Sequence, residues 1–300
     1  MDIIKNISII FTSIFFESLP FLLLGSLISA IIETYISNET LTKIIPKNKI
    51  LGSITGIILG FFLPACDCAV IPVSKRLIKK KVPINVAISF MLSSPIINPV
   101  VLLSTYYAFY KTNPSIFWYR LIFGIIISLI IGIIMGLIFN TKDIINDDEC
   151  DCKHIEHSQT HTLKNDIMHI LKHATFDLFE VVKYLIFGAL IASIFQVIIP
   201  RNILTLFKNN EIISVLTLMI FAYLISLCST SDSFVGKTLL SSFTSSSVTA
   251  YLLLGPMIDI KNTIVLLGNY KKSFVLTLIS LIFIVIFIFS LVVKIWKKDF

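Results

Sequence analysis

The chain has 300 residues, 56% of them hydrophobic and 14% charged, with 24 Phe and a mean hydropathy of +0.91. A soluble domain cannot bury that much apolar surface, so the lipid bilayer is the solvent for most of the chain and a soluble enzyme is excluded. The net charge of +7 does not point to nucleic acid, because the basic residues lie mainly at the ends of apolar runs, where they orient a membrane protein.

Apolar runs of about 20 residues have the length of a membrane-spanning helix. They predict spans over 7–32, 50–63 continuing toward Ala69, 84–109, 117–139, 174–199, 212–228, 248–268 and 273–294. The first run lacks a small-residue cleavage site and reads as a retained helix. With these eight crossings, Lys75, Arg76, Lys79, Lys80, Lys81, Lys294, Lys297 and Lys298 on one side tie with Lys43, Lys47, Lys49, Lys111, Arg201, Lys208, Lys271 and Lys272 on the other, so the dense 75–81 cluster decides. It places both termini and the segment 140–173 in the cytoplasm. The expected fold class is an all-α integral membrane protein with interrupted helices. Two membrane units, 1–139 and 174–300, are joined by a cytoplasmic connector, 140–173.

The two units read as repeats of one another. Phe16-Glu17, Gly25 and Leu27-Ile28 recur as Phe179-Glu180, Gly188 and Leu190-Ile191. Ile44-Ile45-Pro46-Lys47-Asn48 recurs as Ile198-Ile199-Pro200-Arg201-Asn202, Cys66 answers Cys228, and Ser94-Pro95-Ile96-Ile97-Asn98 answers Gly255-Pro256-Met257-Ile258-Asp259. Internal repeats with breaks at corresponding places are a sequence pointer to a secondary transporter and its binding site. Four crossings per half give parallel repeats. The contrast between the basic 75–81 cluster and its counterpart, which carries only Asp232 and Lys237, fits inverted halves with an odd number of crossings instead.

The breaks hold the chemistry. Backbone is not interrupted in a bilayer without gain, since each unpaired amide there costs several kcal/mol. Cys66-Asp67-Cys68 lies between Pro64 and Pro72. Two thiols suit a soft metal or metalloid, and the acid can neutralise charge or exchange a proton. Residues two apart do not share a helical face, so a chelating pair there needs extended or turn backbone. Ser94, Asn98, Cys228, Asp232 and Asp259 are the further candidates for a substrate path, although Asp259 also opens a sequence, Ile260-Lys261-Asn262, that reads as a loop. Glu17 and Glu180 are equivalent intramembrane acids and candidate coupling groups. Lys183, three residues on, is placed to pair with Glu180.

The connector differs in kind. It carries Cys150, Cys152, His154, His157 and His161, with His169 and His173 further on. Thiolates and imidazoles favour Zn²⁺ or Cu(I), and the spacing fits no standard zinc finger.

Together these residues resemble a bacterial family of permeases that includes the organoarsenical efflux permeases. The resemblance covers the chain outside 140–168. It rests on Pro64-Ala65-Cys66-Asp67-Cys68-Ala69-Val70-Ile71-Pro72, Lys75-Arg76-Leu77, Val82-Pro83 and Ser93-Ser94-Pro95-Ile96-Ile97-Asn98-Pro99. In the second half it rests on Leu227-Cys228-Ser229 through Asp232 and Leu254-Gly255-Pro256-Met257-Ile258-Asp259. It implies a multi-pass protein of the bacterial inner membrane, some of whose relatives export trivalent organoarsenicals, with copper or zinc export also suggested in similar proteins. The family's first motif has Cys-Ser-Cys-Gly; here Asp67 and Ala69 stand in place of Ser and Gly, and an acid between the thiols favours a cation over a neutral arsenical.

The expected function is efflux of a thiophilic solute by alternating access, as in metalloid resistance. The partners are the lipid bilayer and that solute, with no nucleic acid; a homo-oligomer is compatible with the sequence. No G-x-x-x-x-G-K-[ST] loop is present, so a nucleotide-driven version needs another subunit. Two alternatives remain at this point: a membrane thiol-redox protein working through Cys66 and Cys68, and a metal-sensing membrane protein built around the connector.

Overall fold

The computed structural model describes residues 2–35, 45–46, 48–63, 66–140, 144, 163–198 and 210–298. They form helices α1 (Asp2–Tyr35), α2 (Lys49–Phe62), α3 (Asp67–Lys79), α4 (Ile84–Ile97), α5 (Pro99–Phe109) and α6 (Ser115–Ile138). Then follow α7 (Leu163–Ile198), α8 (Glu211–Ile225), α9 (Ser229–Leu239), α10 (Ser245–Met257), α11 (Ile260–Asn269) and α12 (Lys272–Lys298). The candidate metal ligands of the connector, Cys150, Cys152, His154, His157 and His161, lie outside the described residues.

Among the described residues, six stretches are long and apolar enough to cross a membrane: Ile3–Ile31, Ile84–Phe109, Ser115–Ile138, Leu171–Ile198, Ser245–Asn269 and Lys272–Val293. All six fall on runs that the sequence predicts as spans. The two other predicted spans appear as shorter apolar helices, α2 with 14 residues and α8 with 15. α2 ends at Phe62, four residues before Cys66, and α8 at Ile225, three before Cys228. Beyond those breaks the chain turns helical again, in α3 and α9, which hydropathy does not predict. Ser-Thr-Ser-Asp-Ser at the start of α9 reads as loop by composition, and α3 carries Pro72 in its interior.

Side chains close the helix ends where the chain restarts. Asn48 Oδ1 accepts from Ile50 N (3.0 Å) at α2, and Asn210 Oδ1 accepts from Ile212 N (3.2 Å) at α8. Asn98 caps α5 through Val100 N (3.0 Å), and Asp259 caps α11 through Asn262 N (2.6 Å). Each satisfies an amide that the first helical turn leaves open. Asp259 therefore starts a helix, not a loop.

The first six helices contain 34, 14, 13, 14, 11 and 24 residues; the last six contain 36, 15, 11, 13, 10 and 27. In the first set α4 packs on α2, α3 and α6, and α6 on α2 and α5. In the second set α10 packs on α8, α9 and α12, and α12 on α8 and α11. Between the sets α1 meets α7, α4 meets α10, α3 meets α11 and α9 meets α5.

Every residue of α4 and of α10 is buried. For α4 the cause is a glycine face on either side, which lets helix backbones approach closely. A Cβ on Gly56 of α2 would run into the Val86 carbonyl, one on Gly60 would lie 2.5 Å from Ser93 Oγ, and one on Gly132 of α6 would strike the Ser89 hydroxyl. Gly56→Leu is accordingly expected to cost at least about 1–3 kcal/mol through overpacking, read as a lower thermal midpoint of the purified protein. Ile58→Leu, on the exposed side of the same helix, serves as the control that leaves the midpoint in place.

Candidate functional site

The two cysteine breaks are built alike. Cys66 is the residue before the first turn of α3 and Cys228 the residue before the first turn of α9, both with extended backbone. Asp67 and Asp232 fall in the respective first turns, where the positive end of the helix dipole favours a carboxylate. The extended residue of the first motif is Cys66 alone; Asp67 and Cys68 are already helical. One non-helical residue is enough to bring the motif together. The ligand atoms of Cys66, Asp67 and Cys68 lie within 4.8 Å of one another.

The first turn of α11 completes this cluster. Lys261 Nζ is 3.4 Å from Asp67 Oδ2 and 3.6 Å from Asp259 Oδ2, and all three side chains are at most 5% exposed. Asn262 Nδ2 donates to Asp67 Oδ2 (2.7 Å), and the Cys68 thiol donates to Asn262 Oδ1 (3.5 Å). Two carboxyl groups thus face one ammonium. Lys261 and Asn262 belong to this cluster, although the sequence reading names them only as part of a loop. The signal for them was an acid followed three residues later by Asn at the end of an apolar run, which is a capping pattern.

A cavity of about 240 Å³ opens beside this cluster. Its wall includes Glu17 and Ser18 of α1, Cys66, Asp67, Cys228 and Lys261. Sequence positions as far apart as 17 and 261 thus share one space. Cys66, Cys68 and Cys228 are free thiols; Cys66 and Cys228 are half-buried and Cys68 is buried behind them.

The remaining candidates sit elsewhere. Ser94 Oγ donates to the Leu63 carbonyl (3.4 Å) and braces the break after α2. Asn98 is a helix cap, and neither residue lines the cavity. Asp232 also lies off the cavity, with Tyr251 OH donating to its Oδ1 (3.0 Å). Arg120, on which the sequence reading is silent, is fully buried and bonds Ser233, the residue after Asp232.

Glu180 is not paired with Lys183, which is exposed. It binds Lys75 Nζ at 2.6 Å, and Lys75 also donates to Asn269 Oδ1 (3.0 Å). Arg76 takes Asp177 with two bonds, Nη2 to Oδ1 at 2.5 Å and Nε to Oδ2 at 3.2 Å, and Ser29 Oγ donates to Asp177 Oδ2 at 3.0 Å. These pairs fasten α3 to α7. They also hold two of the five basic residues that were counted as orienting charges, which weakens that count as a guide to sidedness.

The comparisons with known proteins agree with this architecture. The chain matches the family described as "Predicted permease" over residues 3–295. It is 38% identical over 288 residues, covering 96% of this chain and 95% of the relative, to the Streptococcus mutans protein named "Putative two-component membrane permease complex subunit". It is 39% identical over 285 residues, covering 95% and 96% respectively, to the "UPF0718 protein YcgR" of Bacillus subtilis. No solved structure gives a significant match. With its long apolar helices and a match spanning nearly its whole length, the chain belongs to this predicted permease family and is a multi-pass membrane protein.

Proposed function

We propose that the chain is a carrier that exports a small thiophilic solute, a soft metal ion or a trivalent organoarsenical, by alternating access between two related halves. The observation that carries this reading is the convergence of Cys66, Asp67 and Cys68 within 4.8 Å at a cavity that also holds Cys228. Thiolates select soft ions, and a carboxylate between them suits a cationic solute. The ends of three broken helices meet here, as binding sites of secondary transporters are built.

The matching succession of helix lengths and the mirrored packing partners support two halves of common origin. Read with the breaks as parts of spans, α2–α3 and α8–α9 complete eight crossings; read without them, each half keeps three, the odd number that inverted halves require. The name of the Streptococcus relative speaks of a two-component complex, which supports a second subunit beside this one.

The test is transport in everted membrane vesicles with As(III), an organoarsenical, Cu(I) and Zn²⁺, comparing wild type with Cys66→Ala and Cys68→Ala at equal expression. At least one solute is expected to accumulate in wild-type vesicles and to fall at least tenfold in either variant. Undiminished transport in both variants contradicts the thiol site.

A further inference from the structure

Arg120 and Asp232 make a second buried polar cluster, between α5, α6, α9 and α10, that the solute site does not use. Asp232 is 2% exposed and Arg120 is 0% exposed. Asp232 Oδ1 accepts from Tyr251 OH, but its Oδ2 has no hydrogen-bond partner. That oxygen occupies the space left by the absent side chain of Gly255, where a Cβ would lie only 2.8 Å away. Arg120 turns to neutral acceptors instead. Its Nη1 donates to Thr105 Oγ1 and Ser233 Oγ, both at 2.8 Å, and its Nη2 donates to the Ser229 carbonyl at 3.3 Å. Its Nε and the Ser229 hydroxyl oxygen have no partner.

We propose that Asp232 is a proton-binding site that couples proton movement to solute movement, with Arg120 as the counter-charge taking up the carboxylate once the proton leaves. This rests on the carrier reading above. A buried ionised carboxylate with one bare oxygen is far costlier than the neutral acid in the same place. Asp259 Oδ2 also lacks a hydrogen bond, but Lys261 Nζ lies 3.6 Å from it, whereas Asp232 has no ion pair among the described residues; its arrangement is that of the protonated group. On deprotonation the carboxylate needs a cation, and α6 offers one in Arg120. From α10 only Tyr251 faces it; α5 contributes the hydroxyls of Ser104 and Thr105. Lys237, on α9 itself, is exposed, and Cys228, Asp67 and Asp259 act on the pair only through space.

Arg120 already holds Ser233, the residue next to Asp232. A small rotation of the first turn of α9 exchanges one for the other. That turn starts at Cys228, whose carbonyl accepts from Asp232 N (2.9 Å), and Cys228 lines the solute cavity. The same rotation therefore moves the cavity wall. The chemistry balances simply: the carboxylate gains one proton from one side of the membrane and returns it on the other.

Purified full-length protein in lipid, followed by infrared difference spectroscopy as pH is raised, tests the site without any solute. The carbonyl stretch of a protonated carboxyl is expected at low pH and disappears on titration. One component of this band should be lost in Asp232→Asn, which keeps the shape and the Tyr251 contact, and retained in Asp259→Asn. In Arg120→Gln that component should disappear about one pH unit higher, because the carboxylate has lost its counter-charge. A titrating band unchanged in Asp232→Asn overturns the proposal, as does an unshifted component in Arg120→Gln. In proteoliposomes loaded with Zn²⁺ or phenylarsenite, Asp232→Asn should lose about tenfold of the stimulation by a pH gradient yet retain solute exchange without one. Equal stimulation in wild type and variant also overturns it. If neither probe is carried, the band still decides the proton site, and the failure belongs to the carrier reading alone.

Discussion

Lys261→Met is expected to destabilise the protein more than any substitution on its lipid-facing surfaces, with loss of the folded peak in detergent. Lys261 is the only ion-pair partner of Asp67 and Asp259 among the described residues. Removing one member of a buried charge cluster costs about 3–5 kcal/mol, because the charges left behind have no water to replace it. That is a large part of the roughly 5–15 kcal/mol by which folded domains exceed their unfolded chains. The hydrogen bonds from Asn262 to Asp67 and Asp259 persist, which places the loss toward the lower end. A double variant separates charge from packing. Asp67→Asn added to Lys261→Met removes one orphaned carboxylate and should recover part of the thermal midpoint, a coupling that independent sites do not show. If Lys261→Met alone melts with the wild type, the lysine does not neutralise this cluster.

What was legible in the sequence were the interruptions. Prolines and polar residues inside apolar runs mark the ends of α2, α4, α8 and α10 because a bilayer tolerates so few of them. The correspondence of Cys66 with Cys228 was equally plain, and both prove to precede a first helical turn. Partners were not legible. Glu180 has Lys183 one turn away, yet it binds Lys75, 105 positions distant. Lys261 reads as loop until α11 is seen to deliver it to Asp67, and nothing local marks Arg120, whose side chain is at 0% exposure. Local spacing predicts neighbours on one helix; it says nothing of which helix lies opposite. Asn202, matched to Asn48 in the sequence, lies outside the described residues; the cap observed at α8 is Asn210.

Glu180→Gln is expected to change the side of the membrane from which Cys228 is alkylated, if the two halves exchange roles during transport. Under that reading Glu180 corresponds to Glu17. Lys75, nine residues after Cys66 in Val73-Ser74-Lys75, corresponds to Lys237, nine after Cys228 in Val235-Gly236-Lys237. One pair is made, at 2.6 Å. Its counterpart is not: Glu17 faces the cavity and Lys237 is exposed, with no ion pair between them. The equivalent glycines are seated just as unequally. A Cβ on Gly25 would meet Ala69 of α3, whereas one on Gly188 would meet Lys261 of α11, a helix of the other type. If the halves are related as proposed, a single conformer that breaks their symmetry in this way implies a second conformer of similar energy with the roles reversed. In it Glu17 and Lys237 close, Lys75 and Glu180 part, and the cavity opens on the other side. Weakening the closed pair therefore moves the population toward the second conformer, by about tenfold for each 1.4 kcal/mol of pairing lost. The native thiols report this directly. A membrane-impermeant maleimide should label Cys228 chiefly from one face in wild-type vesicles, and Glu180→Gln should raise labelling from the opposite face severalfold. Lys237→Gln, which weakens the pair of the second conformer only, should do the reverse. Identical labelling from each face in all three proteins would rule out this exchange of gates.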